Sequence, residues 1–242
     1  MSKRFFDIML SFFGLIFTSP ILIPVIFLVW KQDKKYPFYI APRSGKNNKE
    51  FRIVKLRSMN VGADKSGVDS TSANDMRITS IGHVIRKYKL DELTQLWNVL
   101  IGDMSLVGPR PNTFGETALY TPLEKKLLTV KPGITDFSSI VFSDEGEILK
   151  NKNDPDLSYN QLIRPWKSRL GLIYIENQSL LLDLKIIIYT VIAIISKKIA
   201  LNWVHNQLQN FNIDQEVVNI SKREIDLYPS TPPGSNTVAR ER

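Results

Sequence analysis

Two adjacent carboxylates, Asp91 and Glu92, open the amphipathic run Lys89-Leu90-Asp91-Glu92-Leu93-Thr94-Gln95-Leu96-Trp97-Asn98-Val99-Leu100. A loop bounded by glycine and proline follows, Gly102 to Pro111, with a single arginine, Arg110. Acidic residues at a helix N-terminus cap it and complement its dipole. The same field keeps a carboxylate ionised, hence nucleophilic, and attracts phosphate. Two neighbouring carboxylates can divide the work, one attacking and one holding a divalent metal. The cations able to meet a phosphate are Lys55 and Arg57 on or just after a strand, Arg86 shortly before the pair, and Arg110. Each taken singly is also an ordinary solvated charge. Arg110 stands apart because Pro109 and Pro111 stiffen its backbone, which suits a preorganised guanidinium that clamps phosphate bidentately. The pattern points to chemistry on a phosphate ester.

Composition narrows the partners. The chain has 242 residues, a formal charge of +8 and no cysteine. That length suffices for one domain with a real core. The positive balance favours nucleic acid, acidic lipid or a phosphorylated substrate. The absence of cysteine removes disulfides, thiolate metal sites and cysteine nucleophiles. His83 and His205 are far apart and read as surface or boundary residues rather than metal ligands. Neither a His-rich metal motif nor a Gly-rich Walker loop occurs. Nucleic-acid binding has charge alone in its favour, with no recognisable module.

The elements that must position these groups begin with an apolar run from Phe5 to Trp30, interrupted in charge only by Asp7. Its length suits a bilayer span of about 20 residues. No small-residue cleavage site follows it, which argues against a signal peptide. Ser19-Pro20 and Pro24 sit in its middle, where proline removes a backbone donor and kinks a helix. Lys3 and Arg4 precede the run, and Lys31, Lys34 and Lys35 follow it. Basic residues prefer the cytoplasmic side. A straight span sends one cluster across, whereas a re-entrant helix bent at Ser19-Pro20 keeps both on one face; both readings stand on sequence alone. The hydroxyls of Thr18 and Ser19 could satisfy carbonyls freed by the proline.

Downstream, Phe38 to Ala41 and Phe51 to Leu56 predict a small β-hairpin around a polar turn. Residues 60–76 read as a mobile loop. Ile78 to Tyr88 predicts a short helix capped by Thr79 or Ser80. The next helix starts near Asp91, with Leu93, Leu96, Trp97 and Leu100 on one buried face. Further helices are expected at 114–129, 158–178 and 179–198, with a turn at Lys131-Pro132-Gly133. The last of these, apolar from Ser179 to Ile195 but broken by Asp183 and Lys185, reads either as a membrane-surface helix or as a core helix. From Pro229 the composition predicts a disordered tail.

The chain resembles the bacterial sugar transferase family, the small monotopic phosphoglycosyl transferases of glycan assembly. The resemblance rests on Lys3-Arg4-Phe5-Phe6-Asp7, Ser19-Pro20, Phe51 to Met59, Leu90 to Leu93, Gln95 to Leu100, Gly102 to Pro111, Lys131-Pro132-Gly133-Ile134-Thr135 and Leu182-Asp183-Leu184-Lys185. It covers residues 3 to about 198 in order, and its most specific block is Leu90 to Pro111. It implies an α+β, mostly helical fold with an N-terminal re-entrant membrane helix kinked at Ser19-Pro20, a small β-hairpin and amphipathic membrane-surface helices. It implies transfer of a sugar 1-phosphate from a UDP-sugar to polyprenol phosphate with Mg2+ present, at the cytoplasmic face of a bacterial inner membrane. Asp91 would attack the sugar-linked phosphate, expel UMP and form a phosphosugar-aspartyl intermediate, which polyprenol phosphate would resolve. Glu92 would bind Mg2+; Arg86 and Arg110 would hold phosphates, with Lys55 and Arg57 as further phosphate-binding candidates. Lys55 and Asp183 would orient or help deprotonate the lipid acceptor.

One segment departs from the family pattern. After Thr135, many relatives continue with glycine, tryptophan and a run ending Gly-Arg-Asn, whereas this chain has Asp136-Phe137-Ser138-Ser139-Ile140-Val141-Phe142 and Ser143-Asp144-Glu145-Gly146. The nucleotide contact and the sugar are therefore open. The expected organisation is a membrane helix over 1–32, a catalytic domain over 33–203, and a C-terminal extension over 204–242. The expected partners are a UDP-sugar, polyprenol phosphate and inner-membrane lipid, without nucleic acid and with a homo-oligomer allowed. The competing function is a non-catalytic basic membrane-anchored scaffold whose Asp-Glu pair only caps a helix.

Overall fold

A computed structural model describes residues 2–66 and 70–240. The fold is mostly helical, with a small two-stranded antiparallel sheet and a long apolar N-terminal helix. That helix, α1 (Ser2–Asp33), runs through Pro20 and Pro24. Pro20 cannot donate to the carbonyl of Ile16, and Ser19 Oγ donates to that oxygen instead, at 2.7 Å; Thr18 Oγ1 donates to Gly14 O at 2.7 Å. One stripe of α1 is covered: Asp7, Ser11, Leu22 and Val29 are buried, at spacings of three- to four-residue turns. The rest is bare, including Phe5, Phe12, Phe13, Phe17 and Ile23, with Phe17 77% exposed. A face this apolar is stable beside lipid, and α1 is long and apolar enough to cross a membrane.

The covered stripe packs on the body along its whole length. Near its start, Lys3 pairs with Asp183, Arg4 donates to the carbonyls of Val99 and Leu100, and Asp7 accepts from Ser105 Oγ and Leu106 N. In the middle, Leu96 lies against Gly14. Near its end, Val25, Ile26 and Val29 pack with Leu56, Ile85 and Leu90.

The predicted hairpin forms as β1 (Phe38–Ser44) and β2 (Glu50–Leu56), antiparallel, with Phe38 opposite Leu56 and Ala41 opposite Ile53. Residues 67–69 of the loop expected to be mobile lie outside the described residues. The predicted short helix is α2 (Ser80–Lys87), and Thr79 is its cap, accepting from Gly82 N. Gly82 presses on β2's exit: a Cβ there would stand 1.9 Å from Ser58 O.

The amphipathic run divides into α3 (Leu90–Leu93) and α4 (Leu96–Ile101). Its expected single buried face is corrected accordingly. Trp97 is 51% exposed, while Thr94, Gln95, Asn98 and Val99 are buried. The cause is the hairpin edge. Asn98 Oδ1 accepts from Val54 N at 2.9 Å and Asn98 Nδ2 donates to Arg52 O at 2.8 Å, so one side chain takes the part of a neighbouring strand. Thr94 Oγ1 donates to Val54 O at 3.0 Å. Satisfying buried strand edges outweighs continuous helical periodicity here.

Gly102, with φ +101, ends α4 and leads into β3 (Ser105–Val107). β3 runs parallel to β4 (Gly133–Thr135), which follows α5 (Phe114–Ala118) in the chain, and the two backbones approach closely at Gly108, just after β3, and Gly133, the first residue of β4: a Cβ on Gly133 would meet Gly108 N at 2.1 Å. The helix expected over 114–129 is broken at Tyr120–Leu123. Then come α6 (Phe137–Val141), α7 (Glu145–Ile148), α8 (Pro155–Leu162) and α9 (Arg164–Asn177), the last two splitting the helix expected over 158–178. α10 (Leu180–Ile195) is capped by Ser179 and exposes Leu181, Leu184, Ile188, Val191 and Ile195. α11 (Lys197–Gln209) and α12 (Gln215–Ser221) complete the fold and share its main core with α6 and α9.

Residues from Pro229 onward, expected to be disordered, carry ordered contacts through Ala239. Pro232 and Pro233 are buried, Ser230 N donates to Gln161 O at 3.0 Å, and Gln161 Nε2 donates to Ala239 O at 2.8 Å.

Candidate active site

Asp91 occupies the second position of α3, not its cap. The cap is Lys89, in the left-handed conformation at φ +55, with no side-chain capping bond. The turn after α2 thus rolls Asp91 and Glu92 towards the exit of β2 rather than onto the backbone of their own helix. They line a cavity of about 1100 Å³ together with Lys55, Arg86, Arg110, Tyr159 and Lys167. Asp91 Oδ1 is buried and has no hydrogen-bond partner among the described residues. A buried unsatisfied carboxylate oxygen is costly in stability, so the capping reading leaves this oxygen unexplained.

The charges around the pair set two different carboxylates side by side. Burial raises the Asp91 pKa above the usual range, against the pull of Lys55 and Arg86 and with the push of Glu92. Burial also acts to raise Glu92, but Arg110, Lys89 and Lys55 overcome it and hold that carboxyl well below the usual range. The Glu92–Arg110 contact is direct, Nη1 to Oε1 at 2.8 Å. Glu92 in turn raises the pKa of Arg110 above its ordinary value. Lys55 is drawn down to about 8 by burial and by Arg110, with Asp91 and Glu92 opposing. Arg86 Nε donates to Ser58 Oγ at 3.0 Å, and burial lowers its pKa while Asp91 and Asp75 oppose. The pocket therefore combines one ionised, paired carboxylate, one carboxylate with an unengaged oxygen, and three cations.

Five of the residues singled out from sequence, Lys55, Arg86, Asp91, Glu92 and Arg110, meet at this cavity. Two are engaged elsewhere. Arg57, although its residue borders the cavity, gives Nη1 and Nη2 to the Asp33 carboxylate at 2.7 Å each and Nε to Tyr36 O, tying the end of α1 to β2. Asp183 does not line the cavity; it accepts from Tyr174 OH at 2.6 Å and pairs with Lys3, fastening the start of α1 to α9 and α10. Sequence reasoning missed Thr94 and Asn98 as the side chains that hold α3 and α4 on β2. Their signal is polarity at positions between the apolar residues of an amphipathic helix. Among the described residues no group of three or more His, Asp and Glu is arranged to hold a metal by itself.

Residues 1–197 match the family described as bacterial sugar transferase. The chain is 32% identical over 199 residues to the UDP-N-acetylgalactosamine-undecaprenyl-phosphate N-acetylgalactosaminephosphotransferase of Aeromonas hydrophila, covering 80% of this chain and 44% of that protein. It is 36% identical over 193 residues to the UDP-glucose:undecaprenyl-phosphate glucose-1-phosphate transferase of Klebsiella pneumoniae, covering 78% and 39%. It therefore spans less than half the length of both. The exopolysaccharide production protein PSS of Rhizobium leguminosarum bv. phaseoli is 36% identical over 203 residues, with 79% and 94% covered.

Proposed function

We propose that this chain, which belongs to the bacterial sugar transferase family, is a phosphoglycosyl transferase that moves a sugar 1-phosphate from a UDP-sugar to polyprenol phosphate. The observation that carries the reading is the unpartnered Asp91 Oδ1 in the wall of a cation-lined cavity. The Asp91 carboxylate attacks the sugar-bearing phosphorus, the phosphoanhydride bond to UMP breaks and UMP leaves, and the sugar phosphate is held on Asp91 as an acyl phosphate. A polyprenol phosphate oxygen then attacks the same phosphorus and releases Asp91, giving polyprenyl-diphosphate-sugar. Lys55, Arg86 and Arg110 hold phosphate oxygens through the transfer.

Mg2+ fits the acidic pair. This ion is held by one or two carboxylates together with substrate phosphates, so the lack of a three-carboxylate nest suits it. Glu92, kept ionised by its cations, is the ligand we assign. Bound Mg2+ would neutralise charge on the diphosphate and the departing UMP.

Membrane placement follows from α1. A 32-residue helix is about 48 Å long at 1.5 Å per residue, more than a hydrocarbon core of about 30 Å. Both of its ends bind the same body, through Lys3, Arg4 and Asp7 at one end and Asp33 at the other. A helix crossing the bilayer would carry one end away from that body. We read α1 as entering one leaflet and returning, its bare face in lipid, with α10 lying on the membrane surface and the cavity on the cytoplasmic side.

Detergent-extracted protein supplied with polyprenol phosphate and a panel of UDP-sugars should release UMP. Asp91→Asn should abolish turnover without loss of folding. Without acceptor, the wild type should gain the mass of a phosphosugar. Full turnover by a folded Asp91→Asn protein would exclude the covalent route.

A further inference from the structure

The cavity wall at Phe142–Gly146 carries two carboxylates, Asp144 and Glu145. Left unneutralised, they would repel a nucleotide diphosphate entering the same cavity. Lys167 pairs with Glu145 from within the matched family segment. Asp144 is served by the chain at and beyond the end of that segment. Lys197 Nζ lies 2.6 Å and Arg223 Nη2 3.5 Å from the same oxygen, Asp144 Oδ2. The Arg223 guanidinium also lies over the Phe142 ring, 5.4 Å from its centroid. The wall's backbone is tied on another side by Ala73 N, which donates to Gly146 O at 2.9 Å.

Arg223 is held in place by packing. Among the described residues, Asp144 Oδ1 and Arg223 Nε and Nη1 are buried without hydrogen-bond partners, so the polar contacts of the two side chains run through Asp144 Oδ2, which takes both Lys197 and Arg223. Arg223 sits in the left-handed conformation at φ +56, just after α12. α11 and α12 place Val204, Leu208, Val217 and Val218 in the same core as Phe137, Ile140 and Phe142. His205 Nδ1 meets Val218 O at 3.0 Å and ties the two helices. The tail after α12 sets Tyr228 edge-to-face against Trp166, and Thr121 Oγ1 donates to Pro233 O at 2.5 Å.

We propose that the C-terminal extension is a brace for the nucleotide-sugar side of the cavity: Arg223, with Lys197, neutralises Asp144 and fixes the Phe142–Gly146 wall, and so sets affinity for the anionic donor. The proposal rests on the transferase reading. Arg223 is a positioning residue, and the wall carries neither the attacking carboxylate nor its phosphate clamp. Its loss therefore weakens ground-state binding rather than the transfer step.

The test is donor kinetics on the full chain. Arg223→Ala should raise KM for the UDP-sugar roughly three- to tenfold, in keeping with one partly buried ion pair, and leave kcat within about twofold. Arg223→Lys should recover most of the loss. Adding Asp144→Asn to Arg223→Ala should also recover it, because it removes the repelling charge; a purely structural role of Arg223 would not be rescued this way. Lys197→Met, at the start of α11, should move KM in the same direction even if Arg223→Ala does not fold. An unchanged KM in folded Arg223→Ala and Lys197→Met, or a defect that Asp144→Asn does not suppress, overturns the brace. Hydrogen exchange separates the two proposals. If the wild type releases UMP from no UDP-sugar, the transferase reading fails; amides of 142–147 that exchange no faster in Arg223→Ala overturn the brace whatever the activity.

Discussion

Replacing Lys55 by methionine should make the protein more stable and less active. Lys55 is half-buried, and burial with Arg110 close by lowers its pKa from 10.5 to about 8. At about 1.4 kcal/mol per unit, keeping the proton in the folded state costs folding about 3.5 kcal/mol at neutral pH. That figure is an upper bound, since cavity water screens the amine. Below pH 8 the folded and unfolded chains both carry the proton, and the whole cost stands. Between 8 and 10.5 the folded chain has released it while the unfolded chain keeps it, so stability rises with pH. Above 10.5 the cost is gone. Lys55→Met keeps the apolar stem and removes the charge. Its melting temperature at pH 7 should exceed that of wild type by about 2–4 °C for each kcal/mol recovered, and the gap should close towards pH 10.5. UMP release should fall by about two orders of magnitude, the usual loss for a preorganised charge at a reacting phosphate. Lys55→Arg should keep activity and move the alkaline limb of the rate profile upward from about 8, because guanidinium stays charged. A Lys55→Met protein that melts lower than wild type at pH 7, or turns over normally, would refute this account of the site.

Two further outcomes test neighbouring parts. Glu92→Gln should lose most activity and regain part of it at high Mg2+, whereas full wild-type activity in excess EDTA would remove the metal from the mechanism. Cysteines placed at Ser2 and Gln32 should both be shielded from an impermeant thiol reagent in intact cells and both react in inside-out vesicles; labelling of residue 2 alone from outside would make α1 a straight span.

What could be read in advance was local. The hairpin alternation around its polar turn, the Thr79 cap, and a carboxylate pair followed by a proline-flanked arginine are written within a few residues of each other, and they appear where the sequence places them. What could not be read depends on partners distant in the chain. Helical spacing put Trp97 inside, but Asn98 and Thr94 must reach the edge of β2, some forty residues earlier, and doing so breaks the helix and turns Trp97 out. β3 and β4 are three residues each and exist because Gly108 and Gly133 let two backbones touch. Arg57, expected as a phosphate-binding candidate, and Asp183, expected to orient the lipid acceptor, each pair with an opposite charge from α1, Asp33 and Lys3, partners far away in the chain. Proline and serine in the tail suggested disorder, yet two of the prolines find apolar cover and the backbone finds Gln161.

The same long-range ties make α1 more than an anchor. Arg4 takes the last carbonyls of α4, Asp7 takes the start of β3, and Gly14 gives Leu96 its seat. These contacts bound both ends of α4, the helix that follows Asp91 and Glu92 and leads to the Arg110 loop. At its far end Val29 packs with Leu56 and Ile85, the first just after Lys55 and the second just before Arg86. Lys55, Arg86 and Asp91 thus each have an adjacent residue in sequence, Leu56, Ile85 and Leu90, that rests on α1. The buried groups on α1 include a carboxylate, Asp7, that is satisfied only by β3. Detaching the helix would therefore expose a core seam and leave buried donors at Ser105 and Leu106 without an acceptor. In this protein the helix long and apolar enough to enter a membrane and the element that aligns the charged groups of the cavity are one helix, read from its two faces.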